Sequence, residues 1–472
     1  MKAKHWLKTP LRWILAGTLF AGSLFAQSRY ILQTATTPDL ARISSQYSLT
    51  VIHSIHQDGN LYVVQLPATA SSEDIAAIKS DHSVLQFTPD TEVDGSDDTL
   101  ENSGDSGDGS DDPPPPSATT LDPLQDALVS HNTISYFGEP VRSGYVDQTA
   151  TTLIHLAQTQ QQFPTGNSIV AVIDTGVDPA HPALAGVLVP GYDFINNIAG
   201  IPSELADVDQ STVAILDQST VAILDEKNSP LILNQSTVAI LDQSTVAILD
   251  GTKLPADFGH GTMVAGLIHL VAPTAQIMPL KAFQGDGTAN LSDVISAIYY
   301  AVDHNAKVIN MSFSTRSPSA ALTQAIQYAS SHGVISIAAA GNDGKHMKVY
   351  PAGLPGVFGV GSTDKHDLRS MFSNWGQSST WLAAPGEALV TTYPGNNYAA
   401  VWGTSFSAAL VSGAAALITN LAPGIQYKEL RQVFGKGPQI GQDDAAERRL
   451  DLLPSMLFCA SGKYSNGSSD DN

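Results

Sequence analysis

The sequence predicts an α/β protein: a parallel sheet flanked by helices, preceded by a small α+β domain. Three observations predict it. From about Leu121 to Met456, short apolar runs alternate with longer helical stretches, the pattern of strands buried on both faces by crossover helices. Residues 29–93 show the tighter alternation of a compact α+β unit. Between the two, residues 94–120 are rich in Asp, Gly and Ser, lack Lys and Arg, and include the proline run Pro113 to Pro116. Such a stretch cannot bury enough apolar surface to offset chain entropy, so it reads as an extended, disordered linker.

Taken in order, the chain opens with an address. Lys2, Lys4, Lys8 and Arg12 precede an apolar run from Trp13 to Phe25 that closes on Ala26, which reads as a signal peptide over 1–26 with cleavage after Ala26. The run is short of the roughly 20 residues that span a bilayer. No membrane partner is expected, and the product is expected to be secreted, either extracellular or periplasmic. In 29–93, strands are expected at Arg29–Gln33, Leu49–Ile55, Leu61–Leu66 and Val84–Phe87, with helices at Leu40–Tyr47 and from Ser71. Within 121–456 the strand candidates are Ile169–Asp174, Gln276–Phe283, Lys307–Phe313, Val334–Ala339 and Val357–Gly361. Helix candidates are Thr262–Val271, Leu291–Asn305, Ala320–His332, Ser407–Leu421 and Tyr427–Phe434. Residues 457–472 read as a flexible tail.

One insertion, 209–250, interrupts the pattern. The octad Gln-Ser-Thr-Val-Ala-Ile-Leu-Asp stands at 210–217, 218–225, 235–242 and 243–250. An even period returns equivalent side chains to one face of a sheet, so Val213 and Ile215 share one side and Ala214 and Leu216 the other. Both sides are apolar, so the insertion needs cover from the main domain or from another chain. It is read as a duplicated surface insertion, with self-association through the repeats as the functional alternative.

Composition narrows the partners. A formal net charge of -22 repels nucleic acid and anionic membrane alike. The single cysteine, Cys459, excludes an intrachain disulfide and a Cys-rich metal site. The carboxylates of the linker do not have the spacing of a calcium loop.

Three short motifs carry chemistry. Val-Ala-Val-Ile-Asp174-Thr-Gly places an acid at the end of a buried strand, where open α/β sheets hold their ligands. Gly259-His260-Gly261-Thr262 sets an imidazole before an apolar helix, and Gly403-Thr404-Ser405 sets a hydroxyl before another. A serine becomes a useful nucleophile when an imidazole takes its proton and a carboxylate holds that ring. Asp174, His260 and Ser405 are therefore the expected catalytic residues. Ala338-Ala339-Ala340-Gly341-Asn342 offers a side-chain amide, and Asn342 with the backbone N–H of Ser405 is the expected oxyanion hole.

These motifs, in this order, resemble those of the subtilases, the subtilisin-like serine peptidases, over most of residues 165–422. Val308-Ile-Asn-Met-Ser312, Tyr350-Pro351-Ala352, Phe372-Ser-Asn-Trp-Gly376 and Leu382-Ala-Ala-Pro-Gly386 add to the likeness. The resemblance implies a subtilisin-like sheet and a secreted serine endopeptidase acting through an acyl-enzyme on Ser405. It also implies that 29–93 is an inhibitory propeptide, removed by the enzyme itself. Expected partners are protein or peptide substrates and the propeptide, and the chemistry requires no cofactor; a calcium ligand set is not assignable from the residues.

Three departures from the family pattern stand out. Phe406, Ser407 and Ala409 follow the nucleophile where Met, Ala and Pro are usual, and the gap from Asp174 to His260 is long. The substrate edge reads Ser312-Phe313-Ser314 in place of Ser-X-Gly. Substrate is expected to pair along Ser312 to Ser314 and Ala338 to Gly341, with an apolar or aromatic residue before the cleaved bond. Activity is expected to fall through roughly pH 6 to 7 as the imidazole charges. Two rivals remain: an aspartic peptidase, which needs a second Asp-Thr-Gly that this sequence lacks, and a non-catalytic exported adhesin working through the repeats.

Overall fold

The computed structural model describes residues 29–56, 58–94, 132–163, 166–207, 257–440 and 448–466, and the backbone of 232–233 and 238–240. The signal segment, the linker beyond Asp94 and the first, second and fourth octads lie outside the described residues.

Near the N-terminus, β1 (Arg29–Thr34), α1 (Thr37–Gln46), β2 (Thr50–His56), β3 (Leu61–Gln65), α2 (Ser72–Ser80) and β4 (Val84–Pro89) build an antiparallel sheet of order β2-β3-β1-β4. Helix α2 starts where Ser71 and Asp74 cap each other reciprocally, the Asp74 N–H donating to Ser71 Oγ at 3.2 Å and the Ser71 N–H to Asp74 Oδ2 at 2.8 Å. Alternation along the strands gives the sheet two apolar faces. Tyr30, Leu32, Tyr62, Val64 and Phe87 face the two helices through Ile43 and Ile78. Ile31, Ile55, Leu61 and Val63 face the main body. The chain leaves this unit through β5 (Glu92–Asp94).

A hairpin of β6 (Thr133–Tyr136) and β7 (Glu139–Arg142) and three short helical segments lead into the central sheet. Its first strand is β8 (Ile169–Asp174), followed by β9 (Gly191–Asp193) and β10 (Ile198–Gly200). The insertion contributes β11 (Ile232–Leu233) and β12 (Val238–Ile240). After helix α3 (His260–Val271) come β13 (Gln276–Lys281), β14 (Thr288–Asn290), α4 (Leu291–Asp303), β15 (Val308–Met311), α5 (Ala320–Ser331), β16 (Ile335–Ala339) and β17 (Val357–Thr363). The chain ends with β18 (Leu382–Pro385), β19 (Leu389–Tyr393), β20 (Asn397–Val401), α6 (Thr404–Leu421), α7 (Tyr427–Phe434), β21 (Arg448–Arg449) and α8 (Leu452–Ala460).

The central sheet runs β10-β9-β13-β8-β15-β16-β17-β18-β21, parallel from β9 to β21. Both of its faces are covered. Val170 and Val172 of β8 point toward α3 and α6, while Ala171 and Ile173 point toward α4 and α5. Helix α6 is buried around its whole circumference from Thr404 to Thr419, as suits a helix at the centre of a large core. Its 18 residues are apolar enough to cross a membrane, yet 89% of that window is buried inside the molecule. Close approach of α6 to α3 depends on Gly413, where an added Cβ would lie 2.7 Å from Val271 Cβ and 3.0 Å from the Ile268 carbonyl.

The N-terminal sheet rests on α4, where His56 stacks on Tyr299 at 4.2 Å between ring centroids. Strand β5 pairs antiparallel with β14. The Asp90 carboxylate accepts from the Ser292 N–H and hydroxyl, both at 2.8 Å, at the head of α4. The third octad supplies β12, which pairs antiparallel with β20 through Ala239 opposite Ala400 and Ile240 opposite Ala399, so one edge of that strand is joined to the main domain. The expected flexible tail at 457–472 is corrected over 457–466. Helix α8 and the turn after it continue through these residues, and Cys459 lies in the core with Leu452 and Met456 because the apolar side chains recur at helical spacing.

Candidate active site

Strand β8 sits where the sheet changes direction: the chain passes from it to β13 on one side and later to β15 on the other. A crevice opens at the carboxyl end of such a strand, and Asp174, only 4% exposed, ends β8 there. Gly259, at φ +92, turns the chain into α3, so that His260 begins the helix two residues before the expected start. The next residue, Gly261, comes so close to Asp174 that an added Cβ would lie 2.0 Å from the Gly176 carbonyl and 3.2 Å from Asp174 Oδ1. His260 Nδ1 lies 2.8 Å from Asp174 Oδ1. An ionised carboxylate only accepts, so this contact puts a proton on Nδ1 and leaves Nε2 as the basic nitrogen.

Helix α6 begins at Thr404, three residues before the expected start, and brings Ser405 into its first turn. Phe406 packs against the His260 ring at 5.5 Å between centroids, which sets the helix bearing Ser405 beside the imidazole. The Ser405 hydroxyl, however, donates to the Ser312 carbonyl at 3.1 Å and not to His260. A hydroxyl has one proton to give, and here the backbone at the end of β15 takes it; rotation about the serine Cα–Cβ bond separates the two arrangements.

The N–H groups of a helix's first turn have no acceptor within the helix, and Ser405 presents one of them. Beside it, Asn342 Oδ1 accepts from the Thr404 N–H at 2.9 Å and the Thr404 hydroxyl at 3.0 Å. With the oxygen fixed in this way, the amide nitrogen is left as a donor next to Gly403. Two preset donors thus lie beside Ser405, an arrangement suited to a developing oxyanion. The cleft in front of His260 is lined by Asp174, Asp257, Phe283, Ser312 and Phe313.

The model of the subtilase family matches residues 165–437, more than half of the chain and the whole of this site. The chain belongs to the subtilase family. Among curated relatives, it is 34% identical to the thermophilic serine proteinase of Bacillus sp. (strain AK1) over 271 residues, 56% of this chain and 55% of that protein. It is 31% identical to thermitase of Thermoactinomyces vulgaris over 261 residues, 53% of this chain and 74% of that protein. The chain therefore spans about half the length of the first of these relatives. The crystal structure of fervidolysin from Fervidobacterium pennivorans, a keratinolytic enzyme related to subtilisin, aligns with 91% of this chain and 61% of that one. Its TM-score is 0.62 at 18% identity, a likeness of fold.

In this subtilase, parts of the expected site are arranged otherwise than the sequence suggested. Ala338 is not a free edge: it is paired with Met311 on one side and with Gly359 on the other, while Ala339 is paired with Val360. Ala338 can line a pocket but cannot pair with a substrate. Only Ala340 and Gly341 leave the strand, Gly341 at φ +90 with Asn374 Nδ2 2.5 Å from where a Cβ would stand. Ser312, Phe313 and Ser314 lie beyond the end of β15, with the Phe313 ring 4.9 Å from that of Phe283. The imidazole of His260 is also displaced from its ordinary value. Burial opposes its charge, but the neighbouring Asp174 carboxylate, with Asp257 and Glu204, outweighs burial and pushes it up to about 9.

Two buried residues at the site escaped the sequence reading. Glu204, 1% exposed, and Lys281, fully buried, lie beneath the catalytic pair. Lys281 Nζ donates to the Thr175 carbonyl at 2.5 Å and to that of Phe283 at 3.2 Å. Nothing in the sequence separates Glu204 from the other members of a set of 45 acidic residues. Among the described residues, no cluster of three or more His, Cys, Asp or Glu side chains is assembled for a metal ion.

Proposed function

We propose that this subtilase is a secreted serine endopeptidase, made as a zymogen. Ser405 attacks the peptide carbonyl, and His260 takes its proton and passes it to the leaving amine. Asp174 orients and stabilises the imidazolium, and the Asn342 amide with the Ser405 N–H receives the oxyanion. The observation that carries this reading is the 2.8 Å contact of His260 with Asp174 beside the helix start that bears Ser405. An incoming acyl group would draw the Ser405 hydroxyl off the Ser312 carbonyl and toward Nε2, since catalytic hydrogen bonds often tighten only with substrate in place.

Residues 29–93 are read as the protein's own propeptide. Their sheet covers α4, and the pairing of β5 with β14 directs the chain along the main body. Extended substrates would add along Ser312 to Ser314 through main-chain hydrogen bonds. Export rests on the leader at 1–26.

The test is Ser405→Ala, followed by mass measurement of the exported product and a casein assay. The expected product keeps residues 29–93 joined to the rest, and cleavage falls by about 10³-fold or more. A fluorophosphonate should label the unsubstituted protein at Ser405. Unlabelled protein, or casein cleavage that survives the substitution, would overturn the reading.

A further inference from the structure

Glu204 stands at the first position of a short turn, Glu204–Asp207, and its carboxylate bonds the residues that directly follow Asp174 and His260. Oε1 accepts from the Gly261 N–H at 2.9 Å, the backbone donor immediately after His260, and is hydrogen-bonded to the hydroxyl of Thr175, immediately after Asp174. Oε2 accepts from the Thr262 hydroxyl at 2.5 Å. The Glu204 N–H also donates to the Val177 carbonyl at 3.3 Å. One side chain therefore fixes the end of β8 to the start of α3, and it does so at a helix N-terminus, where negative charge is favoured.

The Thr175 hydroxyl adds a proton count. Its oxygen accepts from the Gly261 N–H at 3.1 Å and it has one proton to donate, with two carboxylates in reach: Glu204 Oε1 and, at 3.3 Å, Asp174 Oδ1. When Glu204 is ionised, that proton goes to the nearer Glu204. When Glu204 is protonated, its own O–H donates to Thr175 Oγ1, and the hydroxyl proton is released to Asp174.

We propose that Glu204 is a positioning residue that clamps Asp174 to His260 and, through the single hydroxyl proton of Thr175, sets the basicity of the imidazole. This rests on the reading of His260 as general base. Protonating Glu204 removes a negative charge near His260 and adds a hydrogen bond to Asp174, and both changes make the imidazole less basic. The charged and titratable groups around it are Asp174 on β8, Asp257 and His260 at the head of α3, Lys281 on β13 and Tyr393 on β19, with Asp178 bonded to the far side of Thr262. Burial pushes the Glu204 carboxyl up to about 7, against its hydrogen bonds from Thr175 and Thr262, so Glu204 is ionised over the range in which His260, at about 9, gives up its proton.

The experiment is nuclear magnetic resonance titration of the His260 ring in the full chain carrying Ser405→Ala, with the signal assigned by its loss in His260→Ala. Glu204→Gln removes the negative charge and keeps the side chain's length, its oxygen held by the Gly261 N–H while its amide faces Thr262. It should move the His260 midpoint down by about half a unit to one unit. In the protein with Ser405 intact, Glu204→Ala should lower kcat about 10- to 100-fold and leave KM within about twofold, because a slack catalytic pair costs rate and not substrate binding. A Glu204→Gln protein with a native near-ultraviolet spectrum and an unmoved midpoint would overturn the proposal, as would Glu204→Ala with undiminished kcat. If Glu204→Gln does not fold, Glu204→Ala carries the titration as well: it removes the same negative charge and frees the Thr175 hydroxyl proton for Asp174, so the midpoint must again fall, and an unmoved value overturns the proposal. The titration reads the imidazole whether or not peptides are cleaved, whereas failure of the peptidase reading shows separately as absent fluorophosphonate labelling.

Discussion

At the scale of single side chains, His260 is held between burial, which disfavours its charge, and the Asp174 carboxylate, which favours it. The second wins, with the imidazole at about 9. The general base must be neutral, so kcat/KM should rise with pH along a limb centred near 9. The stability effect has the opposite sense. A histidine raised above its unfolded value of 6.5 contributes stability that is fully present below that value and lost as pH rises through about 9. Activity is therefore gained over the window in which this contribution fades. A limb centred at 6 to 7, as expected of an unperturbed imidazole, would show that burial offsets the Asp174 contact. The proposed trio was legible as a set of candidates because few side chains can perform that proton transfer. The hydroxyl's rest position on Ser312 was not, since it depends on which acceptor the folded backbone happens to present.

At the scale of elements, α3 and α6 deliver His260 and Ser405, and their packing fixes the spacing between the two. That packing is tight at Gly413. Gly413→Ala would drive a methyl against Val271 and the Ile268 carbonyl, and it should cost about 1 to 3 kcal/mol of stability, as overpacked cores do. Denaturant unfolding monitored by tryptophan fluorescence would read the loss, with casein cleavage falling in parallel; an unchanged midpoint would mean the helices separate easily. Both helices start earlier than their apolar periodicity suggests. Gly259 and Gly403 hold positive φ values of +92 and +147, and a turn of that kind lets a helix begin before its first strongly apolar residue. The same limit applies to Ala338 and Ala339. A run of small apolar residues does not reveal how many neighbours its strand will have.

At the scale of the whole molecule, the N-terminal sheet and the main body share one apolar cluster, joined by a buried polar clamp. Asp90 accepts twice from Ser292 at the head of α4 and pairs with Arg29 at 3.0 Å. Asp90→Ala leaves the Ser292 N–H without its acceptor and should weaken docking by about 1 to 3 kcal/mol. In a protein that removes its own propeptide, the freed fragment should then co-purify less with the main body and activity should appear sooner. Equal co-purification and an equal lag would assign no docking role to this contact. The α/β class and the order of the main strands and helices followed from the sequence by itself, as did the choice of Asp174, His260, Ser405 and Asn342 as candidates, because burial periodicity and reaction chemistry are written locally. Tertiary structure alone decided that Glu204, 56 residues before His260 in the chain, closes beneath the catalytic pair, that Asp174 raises the imidazole, and that β16 is paired on both sides. Each of these depends on distances between segments remote in sequence, and a carboxylate's effect on a proton is set by its distance and burial, which no local pattern encodes.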